Sequence, residues 1–344
     1  MEIDGSKKSG SGTILRLSVA LAAIVGEPLH IYNIRQKRSQ PGLRPQHLEA
    51  VLTAAKLCNA EVKGATLGSK EIWFNPSEIY GGDISAEIGT AGSIPMLLMT
   101  ILPICAFAKH PVKVHVTRGG TDVSHAPTIN YLKYVFLEVL GRMGLKASIT
   151  VHKYGYYPKG MGEVTLEVQP SKLKPILLED FGTIEKILGV SVCTFLADRK
   201  VAERQAKAAN EKLKAYGYEA KIEVINDYSN PAQKGSSLVL WAETSENAIL
   251  GGDAIGEIRK SSEKVGFEAA ENLLKEIKAK ATVDTHLADM LIPYIALAEG
   301  ESAYLTRIIT DHLDTNMWLA EKILDVHFHV RRVGNLYRVE RKPS

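Results

Sequence analysis

Cysteine is scarce in this sequence, which has only Cys58, Cys105 and Cys193 among its 344 residues. The three residues are far apart and none belongs to a CxxC pair. This spacing gives no sign of a disulfide framework or of a zinc knuckle. We therefore expect three separate thiols that are buried in the protein core.

Long uncharged apolar stretches are also missing. The longest run without charge, residues 88–108, is interrupted by glycine, serine, threonine and proline, and its mostly apolar part, residues 94–108, is shorter than the roughly 18 residues that a membrane-spanning helix needs. Apolar residues make up 45% of the chain. The N-terminal residues Met1-Glu2-Ile3-Asp4 lack the basic and apolar regions of a secretory signal peptide. We therefore expect a cytoplasmic protein without a membrane partner.

A large excess of one charge is absent as well. The chain has 42 basic and 39 acidic residues, which leave a net charge of +3. This mildly basic balance permits an anionic partner without demonstrating one. The length of 344 residues predicts two or more globular domains, at about 150 residues for each domain.

Two loops near the N-terminus have compositions that suit phosphate binding. Residues 5–12 are rich in glycine and serine and lead into an apolar helix pattern, a junction whose amides favour anions. Their spacing does not match the GxxxxGK[ST] motif of a Walker A loop. Residues 35–45 concentrate arginine and lysine between proline and glycine. This second loop is either a solvated surface loop or a phosphate-binding loop.

His312 lies between Asp311 and Asp314 at the start of an apolar helix pattern. An unprotonated imidazole nitrogen can attack phosphorus, and a nearby carboxylate can orient the ring. His312 is therefore the best candidate for a nucleophile. The alternative is that Asp314 or Thr315 caps a helix over residues 316–324 and that His312 belongs to the preceding loop.

Helix patterns recur in pairs along the chain. The paired helices begin near Thr13 and Pro45, near Ile94 and Pro127, and near His286 and Asn316, with spacings of 32, 33 and 30 residues. This regularity predicts three copies of a helix-strand-helix-strand unit in an α/β (α+β) fold. Residues 181–281 exceed the repeat length and have their own strand and helix patterns. We therefore predict a large domain over residues 1–180 and 282–344 and an inserted small α/β domain over residues 181–281.

Several motifs in the chain resemble those of the RNA 3'-terminal phosphate cyclase family. The most specific are PGLRPQHL at residues 41–48, GTAGS at residues 89–93 and GGTD at residues 119–122. Further matches follow in the same order at residues 157–160, 287–289 and 312–316. This resemblance implies three repeats similar to the C-terminal domain of a bacterial translation initiation factor, together with one smaller inserted α/β domain.

The resemblance also implies a reaction. His312 would attack the α-phosphate of ATP to form a histidine-AMP adduct, and AMP would then pass to an RNA 3'-phosphate. The adjacent 2'-hydroxyl would displace AMP and close a 2',3'-cyclic phosphate, with a divalent metal ion (Mg or Mn) as cofactor. The implied nucleotide pocket consists of Met99, His286, Leu287, Ala288, Asp289 and Met290. The implied phosphate ligands are Arg16, Arg35, Arg38, Arg44 and Gln46.

Three positions depart from the family pattern. Ser9 replaces a metal-binding glutamate, and Met99 and Met290 each replace a glutamine; the metal ligands are therefore unknown. These changes keep open a second hypothesis, a non-catalytic RNA-processing or scaffold homologue that binds RNA without cyclase activity. A carboxyvinyl transferase with similar helix-rich repeats would leave the GGTD and HLxTN motifs unexplained.

Overall fold

The computed structural model describes residues 1–342, and its first repeat forms a four-stranded sheet covered by two helices. Its elements are β1 (Glu2–Asp4), α1 (Gly12–Val25), β2 (Leu29–Tyr32), α2 (Pro45–Leu57), β3 (Glu61–Lys63) and β4 (Ile72–Asn75). The strand order is β1-β2-β4-β3, in which only β1 and β2 are parallel. Helix α1 begins after Ser11, whose hydroxyl accepts a hydrogen bond from the amide of Thr13, and ends at Gly26 with φ of 74°.

The second repeat has the same arrangement. Its elements are β5 (Gly82–Glu87), α3 (Ile94–Ala106), β6 (Val112–Gly119), α4 (Ile129–Tyr131), a π-helical turn (Leu132–Phe136), α5 (Leu137–Arg142), β7 (Lys146–Lys153) and β8 (Gly162–Gln169). The strand order β5-β6-β8-β7 repeats that of the first sheet, and again only the first two strands are parallel.

An insertion follows the short strand β9 (Leu177–Leu178) and forms a separate sheet with two helices on one face. Its elements are β10 (Ile184–Thr194), α6 (Val201–Lys214), β11 (Ala220–Asp227), β12 (Gly235–Thr244), β13 (Ile249–Ile255) and α7 (Ser262–Ala279). Leu213, Leu240 and Leu273 belong to a core between these helices and the sheet, distinct from the main core. The separate core supports the domain boundaries given above, which remain a prediction. Residues 343 and 344 lie outside the described residues.

The third repeat resumes after the insertion. Its elements are β9, α8 (Thr285–Leu297), β14 (Ser302–Thr306), α9 (Asp311–Leu324), β15 (Phe328–Val333) and β16 (Leu336–Arg341). The order β9-β14-β16-β15 is the same as in the first two sheets, with β9 and β14 parallel. The predicted α/β fold class is confirmed, and the common strand order agrees with the regular spacing of the helices.

The helices of the repeats pack around one main core. Helix α1 contacts α3 and α9, and α8 packs against α9. Small residues such as Ala20 and Ala22 on α1 are almost fully buried, which allows close approach of neighbouring helices. The three cysteines are free and buried, as predicted. The N-terminal ends of α1 and α9 are brought together by this packing.

Candidate active site

A cavity of about 420 Å³ opens where α1, α3, α8 and α9 meet the segment that precedes α4. We call it the central cavity. It is lined by Thr13, Arg16, Leu17, Ala20, Met96, Met99, Thr100, His125, Ala126, Pro127, Phe136, Asp253, His286, Asp289, Met290, Pro293, His312 and Asn316. Six residues predicted for the site, Arg16, Met99, His286, Asp289, Met290 and His312, are therefore brought together by the packing of the three repeats and the insertion.

His312 is the second residue of helix α9. The hydroxyl of Thr310 accepts a hydrogen bond from the amide of Leu313 at 2.9 Å, so Thr310 is the N-cap and the helix starts at Asp311. The alternative that Asp314 or Thr315 caps a later helix start is therefore wrong. Asp311 and Asp314 lie in the first turn instead, where carboxylates favour the positive end of the helix dipole.

Asp289 joins helix α8 to the first turn of α9. Thr310 donates its hydroxyl proton to Asp289 Oδ1 at 2.5 Å, and Asn316 Nδ2 donates to the backbone carbonyl of Asp289 at 2.8 Å. Burial raises the pKa of Asp289 to about 6, and the Thr310 hydrogen bond opposes this rise. Asp289 thus fixes the position of the turn that carries His312.

The imidazole of His312 faces the start of α1. Its Nδ1 lies 3.2 Å from Thr13 Oγ1, and Arg16 Nη2 donates to the same hydroxyl oxygen at 3.3 Å. A hydroxyl oxygen has two lone pairs, so Thr13 can accept hydrogen bonds from both Arg16 and the protonated Nδ1 of His312. In that tautomer the Nε2 of His312 carries no proton and is free to act as a nucleophile.

The electrostatic surroundings favour neutral imidazole. Burial lowers the pKa of His312 below its usual value, and the positive charges of Arg16 and Arg38 lower it further, while Asp311 acts in the opposite direction. A neutral imidazole at neutral pH is the form required for nucleophilic attack.

The lowered pKa gives a testable pH dependence. The reactive form of His312 is lost only when the pH falls below the pKa of the folded protein. We therefore expect the rate of covalent labelling by ATP to stay constant as the pH falls through 6.5, the ordinary histidine pKa, and to decrease only at lower pH. Initial rates measured across this range would contradict the assignment if the midpoint lay above 6.5.

The arginines predicted to bind phosphate form a cluster beside the central cavity. Within residues 1–342, Arg16, Arg35, Arg38 and Arg44 have no carboxylate partner in an ion pair. Burial lowers the pKa of Arg16 to about 10, and the charges of Arg35 and Arg38 contribute. Burial also lowers the pKa of Arg35, with contributions from Arg44 and Arg38. Cations that lack an acidic partner and oppose one another are suited to an anion such as phosphate.

Two residues of the predicted phosphate site also hold backbone segments in place. Arg35 Nη1 donates to the carbonyls of Gln40 and Gly42 at 2.7 and 2.8 Å. Gln46 Oε1 accepts a hydrogen bond from the amide of Ser93 at 2.7 Å, which links the first repeat to the second. Arg38 and Arg44 are exposed. Arg16, Arg38 and Arg44 are therefore the guanidinium groups that are freest to bind a substrate.

His47 is a member of this cluster that was not selected from the sequence. It is 5% exposed, and its Nδ1 has no hydrogen-bond partner within the described residues. Burial and the charges of Arg16, Arg35 and Arg44 lower its pKa to about 2, so the ring is neutral. Gly12 permits this packing, because a Cβ atom there would lie 2.3 Å from His47 Nε2. Its place in the PGLRPQHL motif was the available sequence signal.

Part of the lining of the central cavity is apolar. Met96, Met99, Met290, Pro293 and Phe136 line it, a surface that suits the flat face of a nucleotide base. Leu287 and Ala288, which the resemblance placed in the nucleotide pocket, are fully buried in the main core and do not line the central cavity. Their predicted contact with the nucleotide stays a prediction.

Asp284 anchors the start of helix α8. Its carboxylate accepts hydrogen bonds from the hydroxyl of Tyr131, from the amides of His286 and Leu287, and from the amide of Gly251 in the insertion, at 2.7 to 3.0 Å. Asp284 is therefore the N-cap of α8. The side chain also ties the second repeat and the insertion to the helix that carries His286, Asp289 and Met290.

The described residues offer little for a dedicated metal centre. Residues 1–342 contain no group of three or more His, Cys, Asp or Glu side chains arranged to hold a metal ion. Ser9, at the position of the family's glutamate, interacts with Ser11 through their hydroxyl oxygens at 3.0 Å. Neutral hydroxyls are poor substitutes for the carboxylates that hold Mg²⁺.

Comparison with known proteins agrees with this geometry. The family profile described as RNA 3'-terminal phosphate cyclase matches residues 7–330. The chain belongs to the RNA 3'-terminal phosphate cyclase family. Proteins carrying that name include one from Pyrobaculum aerophilum that is 46% identical, covering 99% of this chain and 97% of the relative. Others are from Pyrococcus furiosus, 47% identical over 96% of this chain and 94% of the relative, and Methanosarcina mazei, 42% identical over 98% and 99%.

Family membership confirms the resemblance seen in the motifs. The matched region includes all twelve residues predicted for the site, from Arg16 to His312. Their individual roles stay predictions, and they are the basis of the proposal below. No helix within residues 1–342 has the length and apolar character needed to cross a membrane.

Proposed function

We propose that this protein converts the 3'-terminal phosphate of RNA to a 2',3'-cyclic phosphate at the expense of ATP. His312 Nε2 attacks the α-phosphorus of ATP, the bond to pyrophosphate breaks, and a phosphoramidate links AMP to the imidazole. An oxygen of the RNA 3'-phosphate then attacks the same phosphorus and releases His312. Finally the 2'-hydroxyl attacks the activated 3'-phosphorus and expels AMP. The observation that carries this proposal is the hydrogen bond between His312 and Thr13 inside the central cavity, where Thr13 also accepts a hydrogen bond from Arg16.

Two parts of the site bind different portions of ATP. The apolar wall formed by Met99, Met290 and Pro293 holds the adenine base, and the arginine cluster holds the phosphates. Thr13 orients the imidazole so that its free nitrogen faces the α-phosphorus. Arg16, which donates to Thr13 and lines the same cavity, stabilises the negative charge that develops on the phosphate oxygens.

The RNA end is assigned to the exposed part of the arginine cluster. Arg38 and Arg44 provide guanidinium groups that are suited to bidentate contact with a terminal phosphate. Arg38 lies close enough to His312 to lower its pKa. A phosphate held there is therefore near the atom that carries AMP.

We also propose that a divalent cation, Mg²⁺ or Mn²⁺, arrives with the ATP phosphates. Residues 1–342 do not supply a cage of ligands for it, and Mg²⁺ in nucleotide sites commonly relies on the substrate phosphates. Such an ion would neutralise phosphate charge. The steps assigned here to His312, Thr13 and Arg16 do not depend on its position.

The non-catalytic hypothesis rested on Ser9, Met99 and Met290. The two methionines lie in the wall of the central cavity and retain an apolar surface for the base. His312 and its hydrogen-bonded neighbours remain in place, and the relatives at 42–47% identity are named as cyclases. These observations favour catalysis over binding alone.

Incubation with ATP labelled at the α-phosphate tests the proposal. We expect wild-type protein to acquire an acid-labile label and to convert a 3'-phosphate RNA to the cyclic form, while His312→Ala does neither. His329→Ala is the matched control, because His329 is exposed on β15 and should be dispensable. Labelling of His312→Ala at the wild-type rate, or RNA binding without any cyclisation by the wild type, would refute the proposal.

A further inference from the structure

A second cavity, of about 820 Å³, lies between the second repeat and the insertion. We call it the junction groove. The turn that contains Tyr157 forms one wall, and the loops that contain Arg199, Lys234 and Arg259 form the other. It has nearly twice the volume of the central cavity. No step proposed for His312 uses it.

The junction groove has an excess of exposed positive charge. Arg199, Lys234 and Arg259 are exposed, and none of them forms an ion pair with a carboxylate within residues 1–342. The lining carboxylates do not balance them. Asp122 is buried and accepts hydrogen bonds from Thr121 and Ile129, which leaves Glu257 as the exposed acidic group.

Two other lining cations are already neutralised. Arg204 donates two hydrogen bonds to Glu263, at 2.7 and 2.9 Å, and Lys260 pairs with Glu268. Cations in the junction groove therefore form ion pairs where acidic residues lie nearby. The three unpaired cations are therefore available to a ligand.

Helix orientation adds to this positive potential. Val201 and Ser262, the first residues of α6 and α7, both line the junction groove. The N-cap of α6, Lys200, makes no capping hydrogen bond through its side chain. The positive ends of the two helix dipoles thus lie beside the unpaired cations and favour negatively charged groups.

Large apolar side chains stand exposed at the same groove. Tyr157 is 77% exposed and Ile258 is 92% exposed, and both belong to the groove lining. An exposed aromatic ring among separated cations is the combination with which proteins bind single-stranded nucleic acid: the ring stacks on a base, and the cations contact the backbone phosphates.

The walls of the junction groove are held together in advance of any ligand. Asn230, from the insertion, donates to the carbonyls of Tyr154 and Gly160 at 2.6 and 3.1 Å. Gly235 packs directly on the ring of Tyr156, where a Cβ atom would approach to 2.1 Å. A groove fixed in this way can bind without the cost of ordering a loop.

The junction groove lies next to the central cavity along two segments of the chain. Residues 122–124 line the groove, and the next three residues, 125–127, line the central cavity. On strand β13 and the loop after it, Asp253 lines the central cavity, while residues 255–262 line the groove. A chain bound in the groove is thus led toward the cavity that contains His312.

We propose that the junction groove binds the single-stranded RNA segment that precedes the 3'-terminal phosphate. This inference rests on the proposed function for the identity of the RNA end, and it adds a binding site remote from the reacting phosphate. Tyr157 stacks on a base, and Arg199, Lys234 and Arg259 contact the backbone. Substrates long enough to reach the groove therefore bind more tightly than short ones.

Binding measurements on RNAs of two lengths test this site. The probes are single-stranded RNAs of about 4 and about 20 nucleotides, each ending in a 3'-phosphate on a 2'-deoxy residue that cannot cyclise. The triple variant Arg199→Gln, Lys234→Gln, Arg259→Gln should bind the long RNA roughly tenfold more weakly and flatten its log-log salt dependence by about two units, at about 0.7 per cation. Its affinity for the short RNA should equal that of wild type.

Tyr157 provides a second, charge-independent test. Tyr157→Leu should weaken binding of the long RNA by roughly 5- to 100-fold because the stacking surface is lost. Tyr157→Phe keeps the ring and should retain wild-type affinity. Neither variant should change the salt dependence.

The matched control is a triple variant of exposed cations outside both cavities, Lys174→Gln, Lys221→Gln, Arg331→Gln, which removes the same charge. The inference is overturned if the groove variant keeps wild-type affinity and salt dependence for the long RNA. It is also overturned if the control variant loses as much affinity for the long RNA, or if the groove variant binds the short and long RNAs more weakly by the same factor. Cyclisation of a short ribonucleotide substrate is scored separately, so failure of the proposed function leaves the binding result interpretable.

Discussion

Arg16→Ala should slow the labelling of His312 by ATP by about 10²- to 10³-fold, the loss typical when one donor that stabilises transition-state charge is removed. Arg16 lines the central cavity, donates to Thr13, and has no carboxylate partner within residues 1–342. Because the positive charge of Arg16 lowers the pKa of His312, its removal should also move the midpoint of the pH profile upward. A purely structural role would not produce that shift.

Stability should respond differently from activity. Burial and neighbouring arginines lower the pKa of Arg16 in the folded protein. The charged form of Arg16 therefore lowers the stability of the folded state. Arg16→Ala should therefore leave the urea midpoint unchanged or raise it, as at sites where function opposes stability.

Arg16→Lys should restore the pH midpoint better than the rate, because an ammonium cannot make the same bidentate contact. A slow variant with an unshifted pH midpoint would contradict this assignment, and Arg331→Ala on exposed β15 is the control.

Asp284→Ala should lower the free energy of unfolding by about 3–5 kcal/mol, the range for breaking a buried charged interaction. The substitution leaves the hydroxyl of Tyr131 and the amides of Gly251, His286 and Leu287 without their acceptor inside the protein. Urea unfolding followed by circular dichroism measures the loss. Asp284→Asn should cost less, since it keeps one carbonyl oxygen as an acceptor.

The matched control for Asp284 is Asp314→Ala. Asp314 pairs with Lys8 at 2.9 Å, and its side chain is 49% exposed, so its removal should cost less than about 1 kcal/mol. Equal losses in the two variants would show that the buried hydrogen bonds of Asp284 contribute no more than a surface ion pair. The role assigned to Asp284 as the anchor of α8 would then be wrong.

The parts of the fold that were predictable from the sequence are those fixed by local signals. Apolar periodicity, Pro45 and the glycine-rich junctions located the paired helices, and the regular spacing of those helices predicted repeated units. The start of α9 was missed because Asp314 and Thr315 are as suitable for capping as Thr310. What decides between them is the bond from Thr310 to Asp289, a tertiary contact that local sequence does not contain.

A strand with charged residues was harder to predict. Strand β16 contains Arg338 and Glu340, charged residues that argue against a buried strand, yet both are largely buried. Arg338 bonds to Glu179, Glu301 and Glu340, so partners from distant segments make this burial possible. The contact of His312 with Thr13 joins residues 299 positions apart. The resemblance selected His312, but nothing in the spacing identified Thr13 as its neighbour.

The same separation has a consequence for the newly synthesised chain. Thr13 and Arg16 leave the ribosome early, whereas α9 is the last helix of the described residues to be made. Strand β9 can pair with β14 only after the whole insertion has been synthesised. Domains generally form in order of synthesis, and contacts between distant segments form late. Under the proposed function, a nascent chain therefore lacks a complete nucleotide site and consumes no ATP. Competence to react appears only after the chain has passed His312 and the last repeat has closed on the first.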